Sequence, residues 1–218
     1  DEAQSLLEGN LKLLVDTPAA DDLVYSESAH SLALAHMAQK QYPKAAAHYR
    51  DALRIRRRIL GDQDPRTYVL IGDIAELSTI RGDYERAETM LRHVLTAQRR
   101  LGSAGGRSRV NEIAMIATLQ DLIDAILAQD KRGEAEALMQ EALALADDAY
   151  DARDHRLAKV LIRQANTLIA LRRYDEARSL LDRARNNLAQ AHLAPQSVLQ
   201  QLASAYTAIG ERRKQASP

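Results

Sequence analysis

The chain has 218 residues, 46% of them hydrophobic, and its 30 Lys and Arg residues balance 30 Asp and Glu residues. This length and apolar content can bury a core, which argues against disorder, and the zero net charge provides no overall attraction to nucleic acid or an anionic membrane. The absence of Cys excludes disulfides and thiolate metal sites, while an Ala- and Leu-rich composition without Phe or Trp favours helix.

The first residues already follow a helical pattern. The chain opens at Asp1-Glu2-Ala3 without an initiator Met, so we expect further sequence upstream. Extending the repeat described below toward the N-terminus predicts that residues 1–15 form the second helix of a truncated repeat, whose first helix is expected upstream. No signal-peptide pattern is present, and no stretch approaches the roughly 20 apolar residues of a membrane-spanning helix. We expect a cytoplasmic protein.

Three similar segments reveal an internal repeat. Each has a Tyr three residues before an Ala: Gln41-Tyr42-Pro43-Lys44-Ala45, Asp83-Tyr84-Glu85-Arg86-Ala87 and Arg173-Tyr174-Asp175-Glu176-Ala177. The first two lie 42 residues apart, and Arg132 with Ala135 fills the same positions 42 residues before Tyr174. The remaining step, from Tyr84 to Arg132, is 48 residues. A period of this length predicts a repeat protein.

The extra six residues have an apparent location. Residues 102–108 read Gly-Ser-Ala-Gly-Gly-Arg-Ser, which is a loop-forming composition between two helical patterns. We therefore predict a break near residues 102–108.

Each repeat is predicted to be a helix, a tight turn and a second helix. Asp22, Asp64 and Asp154 precede helical patterns and are predicted N-caps, and Pro65 is suited to the first helical position. The turns are expected near Gln41, Gly82, Arg132 and Arg172. Small residues recur 12 positions apart, where the two helices of a pair should approach closely: Ala33 with Ala45, Ala75 with Ala87, Ala165 with Ala177, and Ile123 with Ala135 as the bulky exception.

The predicted organisation is a single repeat domain over residues 1–218. Its parts are the opening helix at 1–15, repeats at 22–60, 64–101, 109–147 and 154–191, and a partial C-terminal repeat at 195–218.

Residues 52–65, Ala-Leu-Arg-Ile-Arg-Arg-Arg-Ile-Leu-Gly-Asp-Gln-Asp-Pro, resemble a linking segment of the kinesin light chains. The Tyr/Ala spacing resembles the tetratricopeptide repeat, and the 42-residue period resembles its kinesin light chain type. The resemblance implies an all-α fold, an α-solenoid in which helix pairs build a right-handed superhelix. It also implies a concave groove that receives peptides. It implies no catalysed reaction. An excess of Arg over Lys indicates a bacterial source.

An enzyme would need convergent reactive groups, and the sequence has no glycine-rich phosphate loop, paired-His metal spacing or nucleophile elbow. We predict no catalysis, no cofactor and no metal site. The six histidines lack the i, i+4 spacing of a metal site. Tyr42, Tyr84 and Tyr174 could stack bases, but their fixed repeat position favours packing between helices.

By the resemblance, certain polar positions of the first helices face the groove and contact the partner: His30, Ser31, Asp73, Glu76, Gln120, Asp121, Asp124, Arg163 and Asn166. The spacing aligns Asp73 with Asp121 and Glu76 with Asp124, so four carboxylates are expected to share one wall. Such a wall favours a Lys/Arg-rich ligand. The alternative is that these side chains are ordinary hydrated surface.

Two functions remain open. The first is a module that binds a peptide or partner protein in its groove. The second is a regulatory or structural domain of a larger signalling protein, which packs on an upstream domain or self-associates. Self-association is suggested by outer-helix charges that run from basic to acidic along the chain, from Arg50, Arg57 and Arg58 through Arg92, Arg99 and Arg100 to Gln140, Asp147 and Asp148.

Overall fold

The computed structural model describes residues 6, 9, 22–105, 108–191 and 193–216 of the chain. Throughout these residues the protein is all-helical, as predicted, with no strand. The helices of this part of the chain are α1 (Leu23–Ala38), α2 (Tyr42–Leu60), α3 (Pro65–Ile80), α4 (Tyr84–Gly105), α5 (Arg109–Leu127), α6 (Arg132–Ala149), α7 (His155–Ala170), α8 (Tyr174–Gln190) and α9 (Gln196–Ala216). Of the predicted opening helix, positions 6 and 9 are helical and the others lie outside the described residues.

The helices form consecutive pairs, in which α1, α3, α5 and α7 are the first helices and α2, α4, α6 and α8 the second helices. The chain divides into two compact units at residues 100 and 101. Unit 1 contains α1 to α3 and most of α4, and unit 2 contains the end of α4 and all of α5 to α9.

Side-chain caps begin three of the four first helices, at the predicted residues. The carboxylate of Asp22 accepts from the backbone N–H of Leu23. Asp64 and Asp154 each accept from the N–H two residues ahead, at 2.9 Å. Pro65 occupies the first turn of α3, where its missing N–H costs nothing. These bonds satisfy donors that the first turn of a helix leaves unpaired.

The turn inside each pair is built by the backbone. In each turn one residue adopts a left-handed conformation. In chain order these residues are Lys40 (φ 58°), Gly82 (φ 80°), Asp130 (φ 58°) and Arg172 (φ 61°). Its N–H bonds the carbonyl three residues back, and the next N–H bonds the carbonyl five residues back. This Schellman arrangement pairs the orphan carbonyls at the helix end. The four turns repeat with the predicted spacing of 42, 48 and 42 residues.

The core of unit 1 is built around small residues. Ala29, Leu32 and Ala33 of α1 pack with residues of α2, including Ala45 and Tyr49, all of them almost fully buried. Tyr68 and Ile71 of α3 pack with Val94 of α4. All seven alanines of the predicted 12-residue spacing, four in unit 1 and three in unit 2, are 0% exposed. Their burial is what the predicted close approach of two helix backbones requires.

The core of unit 2 includes aliphatic side chains from three helices. Its largest fully buried members are Ile116, Leu119, Leu122 and Ile126 of α5, Leu161 and Ile162 of α7, and Leu181 of α8. The hydroxyl of Tyr206 on α9 donates to Asp182 on α8 at 2.6 Å. Burial, followed by this hydrogen bond, raises the pKa of Tyr206 to about 12. The last helix is thereby tied to the preceding pair.

The predicted loop at residues 102–108 is wrong for residues 102–105, which extend α4. Helix α4 has 22 residues, against 19 in α2, and α5 has 19 residues, against 16 in α3. The insertion is therefore largely absorbed as additional helical turn. A Cβ at Gly102 would stand 3.6 Å from the side-chain amide of Asn111. This is an ordinary van der Waals distance, so the packing here would also accept a small side chain.

Candidate functional site

All nine predicted site residues lie on first helices, and none is fully buried. Ser31, Glu76 and Asn166 are exposed, and the other six are partly buried. His30, Ser31, Asp73 and Glu76 belong to unit 1, and Gln120, Asp121, Asp124, Arg163 and Asn166 belong to unit 2. The four carboxylates are thus divided between the units, and their sharing of one wall stays a prediction.

In unit 1 a histidine links the first helices of two pairs. The Nε2 of His30 on α1 lies 2.5 Å from a carboxylate oxygen of Asp73 on α3. Its Nδ1 lies 3.2 Å from a guanidinium nitrogen of Arg56. A guanidinium can only donate hydrogen bonds, so Nδ1 accepts and Nε2 carries the proton donated to Asp73. The surroundings therefore select one tautomer of His30.

Arg56 is the buried centre of this network, with 6% of its surface exposed. Its guanidinium donates to the backbone carbonyl of Arg66 at 2.7 Å and to the hydroxyl of Ser26 at 3.2 Å. The Ser26 hydroxyl donates in turn to the carbonyl of Ala52 at 3.1 Å. Burial lowers the pKa of Arg56 below its ordinary value, although it stays far above neutrality. One side chain of α2 thus holds α1 and the start of α3.

In unit 2 an arginine joins the two predicted carboxylates. The Nη2 of Arg163 on α7 lies 2.7 Å from Asp121 and 2.6 Å from Asp124, both on α5. Burial alone would lower the pKa of Arg163, but the two carboxylates outweigh it and raise that pKa. Together the three side chains carry one net negative charge. This surface is consequently less acidic than the aligned carboxylates suggest.

A pocket of about 490 Å³ lies within unit 1, between α2, α3, the following turn and α4. Its walls include Tyr49 and the apolar side chains of Leu53 and Met90. Its charged lining residues are Arg50, Arg57, Arg81, Asp83 and Arg86. Tyr49 is 1% exposed, and its hydroxyl has no hydrogen-bond partner in the described part of the protein. Burial, followed by the nearby charges of Asp73 and Glu76, raises the pKa of Tyr49.

A smaller pocket of about 260 Å³ lies within unit 2, between α6, α7, the following turn and α8. Arg173 at its edge bonds Glu136 on α6 and both carboxylate oxygens of Glu176, the latter at 2.6 Å. These hydrogen bonds raise the pKa of Arg173 and lower that of Glu176. The charged side chains that line this pocket, Glu136, Arg173 and Glu176, therefore pair with one another.

The pocket residues are absent from the predicted site. In the sequence, Arg50 and Arg57 stand out only as recurring surface charge, Asp83 and Arg86 only as members of a repeated segment, and Arg81 not at all. The signal that could have located them is the repeat register, because the turn residues of one pair face the second helix of the preceding pair.

Tyr42 packs against the unit 1 core, as the inter-helix interpretation of the repeated tyrosines predicts. Among the described residues, no three His, Cys, Asp or Glu side chains group as metal ligands do. No helix in the same part of the chain is long and apolar enough to cross a membrane.

Residues 24–100 match the family model of the tetratricopeptide repeat. None of the curated proteins compared with this chain is similar to it in sequence.

Solved structures resemble the chain over most of its length. The nearly identical TPR-like repeats of a Podosopora anserina protein assigned to kinesin light chain are 22% identical to it in one crystal structure, with a TM-score of 0.69, covering 87% of this chain and 86% of that one. Another crystal structure of such repeats is 21% identical in sequence, with a TM-score of 0.66. The match covers 88% of this chain and 89% of that one. BtubC (BKLC) from P. vanneervenii is 21% identical, with a TM-score of 0.63, covering 98% and 84%. At these identities the likeness concerns the fold, an α-solenoid of tetratricopeptide-like helix pairs.

Proposed function

We propose that this chain, in which residues 24–100 are tetratricopeptide repeats, binds a polypeptide partner through the polar faces of its first helices. Tetratricopeptide repeats generally serve as protein-binding scaffolds and not as catalysts. The nine residues proposed to contact the partner are the partly buried or exposed polar positions of α1, α3, α5 and α7 described above.

The observation that carries the proposal is the bonding between successive first helices. His30 joins α1 to α3 through Asp73, and Arg163 joins α7 to α5 through Asp121 and Asp124. Side chains already held in one conformation lose little entropy when a ligand binds them. A surface of this kind is prepared for polar recognition before the partner arrives.

The proposed ligand segment is rich in Lys or Arg. Carboxylates accept several hydrogen bonds, so Asp121 and Asp124 retain acceptor capacity beyond their bonds to Arg163. Arg163 nevertheless competes for them with any cation of the ligand. A basic segment must therefore displace Arg163 from Asp121 and Asp124, or bind these carboxylates beside it. Arg163 thus competes with the ligand from within the protein.

Three variants test this proposal against the parent protein. One changes Asp73, Asp121 and Asp124 to Asn and Glu76 to Gln, which removes the charges and keeps the shapes. A matched control changes four exposed carboxylates at other positions, Glu85, Asp130, Glu134 and Glu211, to their amides. The third is Arg163→Gln, which frees two carboxylates.

Binding of immobilised protein to an Arg/Lys-rich peptide is measured by surface plasmon resonance at low and high salt. The parent and the control should bind with an affinity that falls as salt rises. The four-site variant should lose binding, and Arg163→Gln should strengthen it several-fold. Equal binding by the parent and the four-site variant, or weaker binding by Arg163→Gln, contradicts the basic-ligand proposal.

Self-association is a second candidate, favoured by charge on the second helices. The exposed end of α2 carries Arg57 and Arg58, whereas the end of α6 carries Asp147 and Asp148. Light scattering coupled to gel filtration should give a mass above 24.2 kDa that falls toward the monomer value with added salt. A monomer at both salt concentrations rejects this candidate.

A further inference from the structure

The two pockets occupy equivalent positions of the repeat, two repeats apart. Asp130 occupies the left-handed turn position 90 residues after Lys40. The same shift carries Tyr49 onto Met139 and Met90 onto Leu180, and all four residues line their respective pockets. Each pocket lies between the second helix of one pair and both helices of the next. The unit 2 pocket can therefore serve as an internal reference for the unit 1 pocket.

The difference between the pockets lies in three charged positions. In unit 2, Arg173 is held by Glu136 and Glu176. The corresponding residues of unit 1 are Asp83, Ala46 and Arg86, which line its pocket. A carboxylate thus replaces the arginine, while an alanine and an arginine replace the two carboxylates. The unit 1 pocket cannot form the internal clamp, and it is the larger of the two.

The arginines of the unit 1 pocket are available to a ligand. Arg50, Arg81 and Arg86 form no ion pair or side-chain hydrogen bond with other described residues. Arg57 is already paired with Asp62 at 2.7 Å. With Asp83 as the lining carboxylate, the unpaired groups carry an excess of two positive charges.

The interior of the pocket differs from its charged lining. Leu53 and Met90 supply apolar wall, and Tyr49 adds a buried hydroxyl that lacks a partner. Because Tyr49 is only 1% exposed and its hydroxyl is enclosed, a ligand would meet this residue as part of the wall. Together the pocket offers several guanidinium groups and an apolar surface.

We propose that the unit 1 pocket binds the phosphate monoester of a phosphorylated peptide side chain, with Arg50, Arg81 and Arg86 as its cationic ligands. A phosphate monoester carries a charge of about −1.5 to −2 at pH 7, which matches the excess charge of the pocket. Planar guanidinium groups form paired hydrogen bonds with phosphate oxygens, and arginine clusters recur where phosphopeptides bind. In this pocket the ligand supplies the negative charge that Glu136 and Glu176 supply in unit 2.

The inference goes beyond the proposed function, because it concerns another surface and a ligand group of the opposite charge. Loss of basic-peptide binding in the four-site variant would leave it unaffected. Conversely, failure of the phosphate test would leave the polar faces of the first helices as the proposed partner surface.

The probe is phenyl phosphate, which joins an apolar ring to the dianion. Methyl NMR with labelled Ile and Met follows Ile74 and Met90 in the unit 1 pocket, while Met139 reports on the equivalent pocket of unit 2. Phenyl phosphate should shift the signals of Ile74 and Met90 in a saturable manner and leave Met139 unchanged. Inorganic phosphate tests the charge alone, and phenylacetate tests the ring with a single charge.

Phenyl phosphate should bind about tenfold more tightly than inorganic phosphate or phenylacetate, since it alone provides both the second charge and the ring. Its affinity should fall as the pH drops below about 6, where the monoester gains a proton. Equal affinity for phenylacetate, or an equal response of Met139, overturns the proposal.

Changing Arg50, Arg81 and Arg86 to Gln should abolish binding. The matched control changes Arg109, Arg153 and Arg178, three exposed arginines of unit 2, to Gln and removes the same net charge. This control should bind as the parent does. Asp83→Asn should strengthen binding, because it removes the carboxylate nearest in sequence to the arginines of the turn. Equal loss in both triple variants would indicate a general charge effect and reject the pocket.

Discussion

At the scale of single residues, the turns between paired helices place three non-glycine residues in a left-handed conformation. Lys40, Asp130 and Arg172 occupy the position that Gly82 fills in the second pair. A side chain in this region costs roughly 1 kcal/mol or more, because its Cβ crowds the backbone. Since the turn is held by backbone hydrogen bonds, the side chain is not needed for it.

Arg172→Gly should therefore stabilise the protein by about 1 kcal/mol, despite the greater freedom of glycine in the unfolded chain. Urea denaturation followed by circular dichroism measures the change. Gly82→Ala is the reverse control and should destabilise by a similar amount. If Arg172→Gly lowers the midpoint instead, the arginine side chain contributes more to the fold than the turn geometry accounts for.

A second residue-scale prediction concerns the cap of α7. Asp154→Ala should destabilise the protein by about 1 kcal/mol, because the N–H of Arg156 loses its acceptor. The side-chain hydrogen bond from Arg156, the largest influence, lowers the pKa of Asp154. A carboxyl with a lowered pKa stabilises the fold fully above its unfolded pKa of about 3.9, and that contribution is lost as the pH falls through the folded value.

The comparison with Asp154→Asn isolates the charge, since asparagine can still accept the cap hydrogen bond. The difference in free energy of unfolding between parent and Asp154→Asn should be constant from about pH 7 to 5 and shrink below about pH 4. Urea unfolding at several pH values provides the measurement. A difference that grows on acidification would contradict the assigned sign.

The caps could be predicted from sequence, since an Asp before an apolar pattern has few other local roles. The left-handed residues could not, because Lys, Asp and Arg do not signal that conformation as Gly82 does. The pairing of Arg163 with Asp121 and Asp124 was equally inaccessible. Repeat spacing predicts which residues share a face, but the reach of a long arginine side chain depends on packing.

At the scale of helices, one buried arginine connects three elements of unit 1. Arg56→Met should destabilise this unit by about 2 kcal/mol, because it leaves the carbonyl of Arg66 and the Nδ1 of His30 without their donor. Thermal and urea denaturation measure the loss. Arg50→Met on the same helix is the control and should change stability by less than about 0.5 kcal/mol, since Arg50 is exposed. Similar effects for both would remove the special role assigned to Arg56.

The helices themselves were largely predictable, because the Asp caps mark the start of three first helices and the Tyr/Ala spacing marks the start of the second helices. The error at residues 102–105 has a physical origin. Glycine and serine weaken a helix, but only by about 1 kcal/mol for each Gly, which is too little by itself to end a helix that already spans residues 84–101. The two pockets escaped prediction for another reason: they are formed between helices of adjacent pairs, and the charges at their edges are set by turn residues.

At the scale of the whole molecule, the division into two compact units predicts where damage remains confined. Ala165 is 0% exposed and lies between paired helices of unit 2. Ala165→Leu should overpack this site and destabilise unit 2 by about 1–3 kcal/mol. Hydrogen exchange followed by mass spectrometry should then show faster exchange in α5 to α8, with much smaller changes in α1 to α3.

Ala170→Leu, at an exposed position of the same helix, is the matched control and should leave exchange nearly unchanged. Faster exchange throughout the chain in Ala165→Leu would mean that the units unfold as one cooperative body. No change at all would mean that the site can accommodate the larger side chain.

The construction of the turns has a consequence for how such a protein can acquire new specificities. Because each turn is closed by main-chain hydrogen bonds, its side chains are free to vary without loss of the hairpin. Arg81 and Asp83 flank one left-handed residue, as Leu171 and Arg173 flank another, and members of both sets line a pocket. Exchanging these few residues between hairpins would transfer the ligand specificity of one pocket to another, while the helical scaffold stays the same. Duplication of a 42-residue segment would then add a repeat with the same scaffold. A few substitutions at its turn could give that repeat a different ligand preference.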